Sequence, residues 1–221
     1  LKSTMLVSLE HQFAFFSNPK CATTSIEKYI SKYCEISITS TKLGKHTTPK
    51  NFKKLESFLK TECNTPFFKK ICTARDPVKK IISWYTYRSR PKLKSKRPER
   101  YLGETDFRSF CRSQMQRCPV SFYYENVANN FFVDFVVPID HLSRLETFFQ
   151  NKFNLKHGFS KRNTSSTETP QLNTSQLHEI ALSELNNASI EFHKGIEIYT
   201  TILDHYNKAN HERIIRISKI F

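Results

Sequence analysis

The chain is poor in glycine, with 4 in 221 residues. Glycine supplies the backbone freedom that a G-x-x-x-x-G-K-[ST] phosphate loop needs, and no such loop is present. A Walker-type nucleotide site is therefore excluded. Six cysteines stand at positions 21, 34, 63, 72, 111 and 118 with no C-x-x-C. No Cys/His set has zinc-ligand spacing, so no metal is expected. No apolar run approaches the ~20 residues of a membrane span, and no signal peptide is visible. Position 1 is Leu, which leaves open an N-terminal anchor trimmed from a longer chain. Acidic residues are few beside basic ones: 20 Asp and Glu against 35 Lys and Arg, a net charge of +15. Such a balance implies anionic partners: a nucleotide cofactor, an acidic glycan, nucleic acid or an anionic membrane surface. A basic surface with no specific partner is the alternative.

At 25% charged and 38% hydrophobic residues the chain is globular in composition. Its length suits one α/β domain, expected over residues 1–221, or at most two small ones. Cys21 and Cys72 read as small buried residues, and Cys111 and Cys118 pair only in an oxidising compartment. The expectation is reduced thiols and a cytoplasmic setting, with the Golgi lumen as the alternative if an anchor was removed. Asn163, Asn173 and Asn187 each begin a glycosylation sequon, which matters only in a secreted chain.

Residues 12–33, QFAFFSNPKCATTSIEKYISKY, hold the strongest local pattern. The apolar run Phe13-Ala14-Phe15-Phe16 suits a buried strand, and Ser17-Asn18-Pro19 a turn. Lys20 and the small residues Cys21, Ala22, Thr23, Thr24 and Ser25 follow, then a helix. Thr24 with Glu27 three residues on predicts a capping box. Ile26, Tyr29, Ile30 and Tyr33 give that helix one apolar face. A strand, a tight loop and a helix start make a natural anion site, to which Lys20 and the hydroxyls add hydrogen bonds. The plainer alternative is an ordinary connection whose Thr and Ser residues merely cap.

Along the rest of the chain, residues 1–11 are expected as a lead-in and 35–47 as irregular. Thr48-Pro49 opens a helix with Phe52, Leu55, Phe58 and Leu59 on its apolar face. Residues 67–74 predict a strand. Asp76-Pro77 then caps a third helix, whose face is Val78, Ile81, Ile82 and Tyr85. Residues 88–100, RSRPKLKSKRPER, predict an exposed basic loop. Thr105-Asp106 begins a helix, residues 131–137 predict a strand, and 141–153 an amphipathic helix through Leu142, Leu145, Phe148 and Phe149. Two helices, near 174–185 and 190–206, close the chain. The alternation predicts an α/β fold with a central parallel sheet flanked by helices, its strand-end loops gathered on one edge.

A second motif, Arg75-Asp76-Pro77 through Ser83-Trp84-Tyr85, again joins a strand end to a helix start. Arg75 is suited to a bidentate grip on phosphate, with Ser83 on the helix face that continues from the helix start. The alternative is that Arg75 pairs with a carboxylate and Ser83 is a surface residue.

The two motifs together resemble PAPS-dependent sulfotransferases (PAPS is 3′-phosphoadenosine 5′-phosphosulfate), carbohydrate-type members most closely. Residues 18–25 are similar to their 5′-phosphosulfate loop, and 75–85 to their 3′-phosphate motif. Weaker similarity extends to residues 133–142, with Asp140 where the family usually has Glu, to Arg162-Asn163-Thr164-Ser165, and to 199–206. Pro138 departs from the family pattern. The resemblance implies a P-loop-like sulfotransferase fold. PAPS would be held by Lys20, Cys21, Ala22, Thr23, Thr24, Ser25, Arg75, Ser83 and Arg162, with no metal required. It implies sulfuryl transfer to an acceptor, a carbohydrate or small metabolite, releasing PAP (3′-phosphoadenosine 5′-phosphate). Lys20 would act on the leaving phosphate, and His46 as general base; His141, Asp140 and Glu27 are fallback bases. Residues 88–100 would gather an acceptor or close as a lid, or form a solvated loop. Two rivals stand against this: a nucleotide-dependent phosphotransferase, with no Mg²⁺-binding Asp evident at a strand end, and a basic nucleic-acid binder, with no zinc-finger, helix-turn-helix or RNP signature. No nucleic-acid partner is expected, and the oligomeric state stays open.

Overall fold

The computed structural model describes residues 5–38, 48–63, 67–125, 130–159, 172–210 and 213–221. In chain order the elements are β1 (Met5–Ser8), β2 (Phe13–Phe16), α1 (Thr23–Ile30), β3 (Ile36–Ile38), α2 (Pro49–Glu62), β4 (Lys69–Ala74), α3 (Pro77–Arg88), α4 (Pro91–Lys96), α5 (Phe107–Met115), β5 (Tyr124–Glu125), β6 (Asn130–Phe131), β7 (Phe135–Pro138), α6 (Leu142–Phe153), α7 (Thr174–Ser183) and α8 (Ile190–Lys208). The chain folds as two compact units. The first comprises Leu1–Arg75, Val120–Arg162 and Thr200–Phe221, the second Asp76–Pro119 and Asn163–Tyr199.

The first unit is built on a five-stranded sheet in the order β3-β1-β2-β4-β7. β2, β4 and β7 are parallel, as expected. β1, however, runs antiparallel to both β2 and β3, so the sheet is mixed rather than parallel. The reason is local. Residues 9–12 form a tight turn, closed by Gln12 N donating to Leu9 O (3.3 Å), with Gln12 at φ 54°. A connection that short permits only antiparallel neighbours. The supposed lead-in thus supplies an interior strand, whose four residues are all buried. Ile36–Ile38, expected as irregular, forms the edge strand β3.

Successive strand residues face opposite sides of a sheet. Phe13 meets Phe149 of α6 (5.4 Å between ring centroids), whereas Phe16 meets Phe52 of α2 (5.4 Å). The two helices therefore cover opposite faces. On α2, Phe52 and Leu59 are buried seven positions apart, while Phe58 is 60% exposed, since it falls off that stripe. The strand expected over residues 131–137 divides in two. Phe131 pairs with Tyr124 in a two-stranded ribbon, and β7 begins at Phe135. Between them Asp134 bends the chain: its Oδ2 accepts from Lys70 N (2.9 Å) and its own N donates to Lys70 O (2.9 Å).

The second unit is helical around one apolar cluster. Val78, Ile81, Ile82 and Tyr85 of α3 pack with Phe107, Phe110 and Met115 of α5, Leu177 and Ala181 of α7, and Phe192 of α8. The caps at Thr48, Asp76 and Asp106 form as expected, each side chain accepting from the backbone N–H three residues on. Residues 88–100 are not an extended loop. Pro91–Lys96 is a short helix anchored by buried Leu93. Arg88 Nε also donates to Arg100 O (3.0 Å), tying the two ends of the segment together.

Candidate anion site at the strand edge

Because β2 and β4 are parallel, with Phe16 opposite Cys72, their carboxyl ends reach the same edge of the sheet. The loop of residues 17–22 leaves one and Arg75 the other. The two are stitched together through buried groups. Asn18 Nδ2 donates to Thr73 O (2.9 Å), and Thr73 Oγ1 donates to Cys21 O (2.6 Å). Asn18, Cys21 and Thr73 are all buried, so these bonds form away from competing water. Within the loop, Cys21 N donates to Asn18 O (3.3 Å).

Two loop residues take left-handed backbone without being glycine: Lys20 at φ 66° and Ala22 at φ 58°. Such conformations are uncommon for residues with a Cβ and cluster where a loop shape is over-determined by its surroundings. Left-handed residues alternating with ordinary ones turn backbone N–H groups toward one side, as in anion-binding nests. Ala22 is also the N-cap of α1, and no side chain caps the helix. The expected capping box at Thr24 does not form, because the helix already starts at Thr23. Glu27 instead accepts from Ser17 Oγ (2.5 Å) and is buried. Among the described residues no side chain accepts from the positive helix end, the condition under which an external anion is best received.

Arg75 completes the edge. Its Nη1 lies 3.5 Å from Lys20 O, and its Nε is buried without a hydrogen-bond partner among the described residues. No described carboxylate lies within ion-pair distance of it, so the alternative of a structural ion pair finds no support there. Lys20, Thr24, Ser25 and Arg75 are half-buried, Thr23 is buried and Ala22 is exposed.

The structure therefore brings together Lys20, Cys21, Ala22, Thr23, Thr24, Ser25 and Arg75. Ser83 lies on α3, in the second unit, and is half-buried. His46 and Arg162 lie outside the described residues. Of the fallback bases, Glu27 is committed to Ser17, and a ring nitrogen of His141 sits 2.8 Å from Asn207 Oδ1. Asp140 is exposed just beyond β7. Sequence reasoning missed Asn18 and Thr73 as loop supports. Asn18 reads as a turn residue at the start of the 18–25 stretch, and its partner is 55 positions away.

Cys34 and Cys111 are free thiols, so no disulfide joins Cys111 to Cys118. Burial pushes the Cys34 thiol up to about 12 and the Cys111 thiol up to about 11, in each case with a neighbouring carboxylate adding to the effect. Among the described residues, no three His, Cys, Asp or Glu side chains are grouped to hold a metal, and no helix is long and apolar enough to cross a membrane. No protein-family model matches the chain, and no curated protein is similar to it.

Proposed function

We propose that the strand-edge loop binds the 5′-phosphosulfate of PAPS and that the chain is a PAPS-dependent sulfotransferase. What supports it most is Arg75: a guanidinium drawn against the Lys20 backbone, its buried Nε without a partner among the described residues, beside a helix start with no side-chain cap hydrogen bond among them. A buried unsatisfied donor costs ~1–3 kcal/mol, and an anionic ligand would relieve that cost. The residues present fit such a ligand by charge and by donor count.

Bound PAPS would supply an activated sulfuryl group, passed to an acceptor hydroxyl of a carbohydrate or small metabolite with release of PAP. Lys20 and the backbone N–H groups of Ala22, Thr23 and Thr24 would stabilise the negative charge growing on the leaving phosphate, whereas those of Cys21 and Ser25 already donate to Asn18 O and Ala22 O. They are held in place beforehand by Asn18 and Thr73, so little reorganisation accompanies that charge. Removing one such donor costs ~10²–10³ in rate at comparable sites. Arg75 is assigned to the 3′-phosphate, and His46 to removal of the acceptor proton.

The test is calorimetric titration of PAP and of adenosine 5′-phosphate into wild type and Arg75→Ala. The expected result is a preference for PAP that Arg75→Ala removes. Absence of PAP binding, with stabilisation by ATP–Mg²⁺ or by nucleic acid instead, would overturn the assignment. For the base, His46→Ala is expected to lose turnover while keeping PAP affinity. Wild-type turnover in that variant would eliminate the role.

A further inference from the structure

The strand-edge loop leaves one cavity of the first unit unexplained. It lies beside the carboxyl-terminal half of α1, has a volume of about 330 Å³, and is lined by Lys28, Tyr29, Lys32, Leu155, His157 and Gly158. No acidic residue is among these six. Lys28 and Lys32 are four positions apart, where like charges on a helical surface repel. Neither has a described carboxylate within ion-pair distance. The Lys32 ammonium lies 4.9 Å from the Tyr33 ring centroid.

The facing wall is anchored at several points. Asn154 ends α6 in left-handed backbone at φ 52°, and Leu155 N donates to Gln150 O (2.9 Å). Tyr29 donates its hydroxyl to the His157 carbonyl, and Phe159 N donates to Glu146 Oε1. A Cβ at Gly158 would meet the end of the Glu146 side chain, which would have to shift to make room. Burial and then the Glu146 charge raise the Tyr29 hydroxyl's pKa, so this acid stands near the cavity, which the exposed residues Lys28, Lys32 and His157 line together with Leu155 and Tyr29.

We propose that this cavity binds a phosphate monoester carrying an apolar body. Two lysines act as point charges for a dianion, the usual role of lysine toward phosphate. Leu155 and Tyr29 give the apolar body a surface to cover. The proposal is independent of the PAPS assignment, since it uses none of the strand-edge residues.

The test is titration of phenyl phosphate into the ¹⁵N-labelled full chain, read at the amides of Lys32, Leu155 and Gly158. Saturable shifts at those amides are expected, with inorganic phosphate binding more weakly because it leaves the apolar wall uncovered. The Lys28→Gln/Lys32→Gln double variant should weaken phenyl phosphate about tenfold or more, the loss of one or two charge-assisted contacts. Shifts confined to Cys21 and Ala22, or unchanged affinity in the double variant, would overturn the proposal. If the double variant fails to fold, Lys32→Gln alone gives the same reading, because Lys32 is exposed and lies beyond the end of α1.

Discussion

Thr73 is the residue on which the strand-edge loop most depends. Its hydroxyl donates to the Cys21 carbonyl, and its own carbonyl accepts from Asn18. Thr73→Val keeps the shape and removes only the hydroxyl, leaving a buried carbonyl without that donor. The expected cost is ~1–3 kcal/mol in urea unfolding, accompanied by weaker anion binding at the loop. Unchanged stability and unchanged binding would show that the loop holds its shape without this bond. The cysteines offer a second check at this scale. Thiolate is the reactive form, and burial holds Cys34 and Cys111 far above the usual thiol range. Alkylation near pH 8 should therefore label exposed Cys63 well before either of them, as mass spectrometry of partially labelled protein would report.

At the level of elements, the second unit owes its α5–α7 junction to one buried acid. Glu184 is 1% exposed and accepts from Arg112 Nε (2.5 Å), from Arg108 and from Asn187. The Arg112 hydrogen bond leads in holding its carboxyl at about 2, against an ordinary 4.5, and burial opposes the shift. A carboxyl depressed on folding adds stability above its unfolded pKa and loses it as pH falls through the folded one. Glu184→Gln should thus be less stable than wild type near neutrality, and the gap should close between pH 4.5 and about 2. A gap that does not change with pH would contradict the pairing. The helix starts at Thr48, Asp76 and Asp106 could be read from sequence because a cap and its N–H partner lie three residues apart. The mixed character of the sheet could not. It turns on whether Met5–Ser8 pairs with Phe13–Phe16, and the three apolar residues Met5, Leu6 and Val7 carry no period long enough to announce a strand. The strand Phe13–Phe16, the loop after it and the helix that follows were likewise legible, whereas the loop's support by Thr73 depends on strand pairing across the sheet. The start of α1 was misplaced because Ala22 is a poor cap by type and Thr24 a good one.

For the whole molecule, the net charge of +15 sets a field that draws anions from solution. Screening shortens from ~30 Å at 0.01 M salt to ~8 Å at 0.15 M, so PAP association should slow over that range in stopped-flow mixing. An association rate that ignores salt would mean the charge plays no part in capture. Within this field, one loop at the ends of two parallel strands is proposed to receive the phosphosulfate end of the donor. The measurement that bears on it most directly is calorimetric titration of PAP into wild type and Lys20→Ala at fixed ionic strength. Saturable one-to-one binding, weakened about tenfold or more by loss of the Lys20 charge, is the predicted result. Equal affinity in the two proteins, or no heat of binding in either, would contradict it.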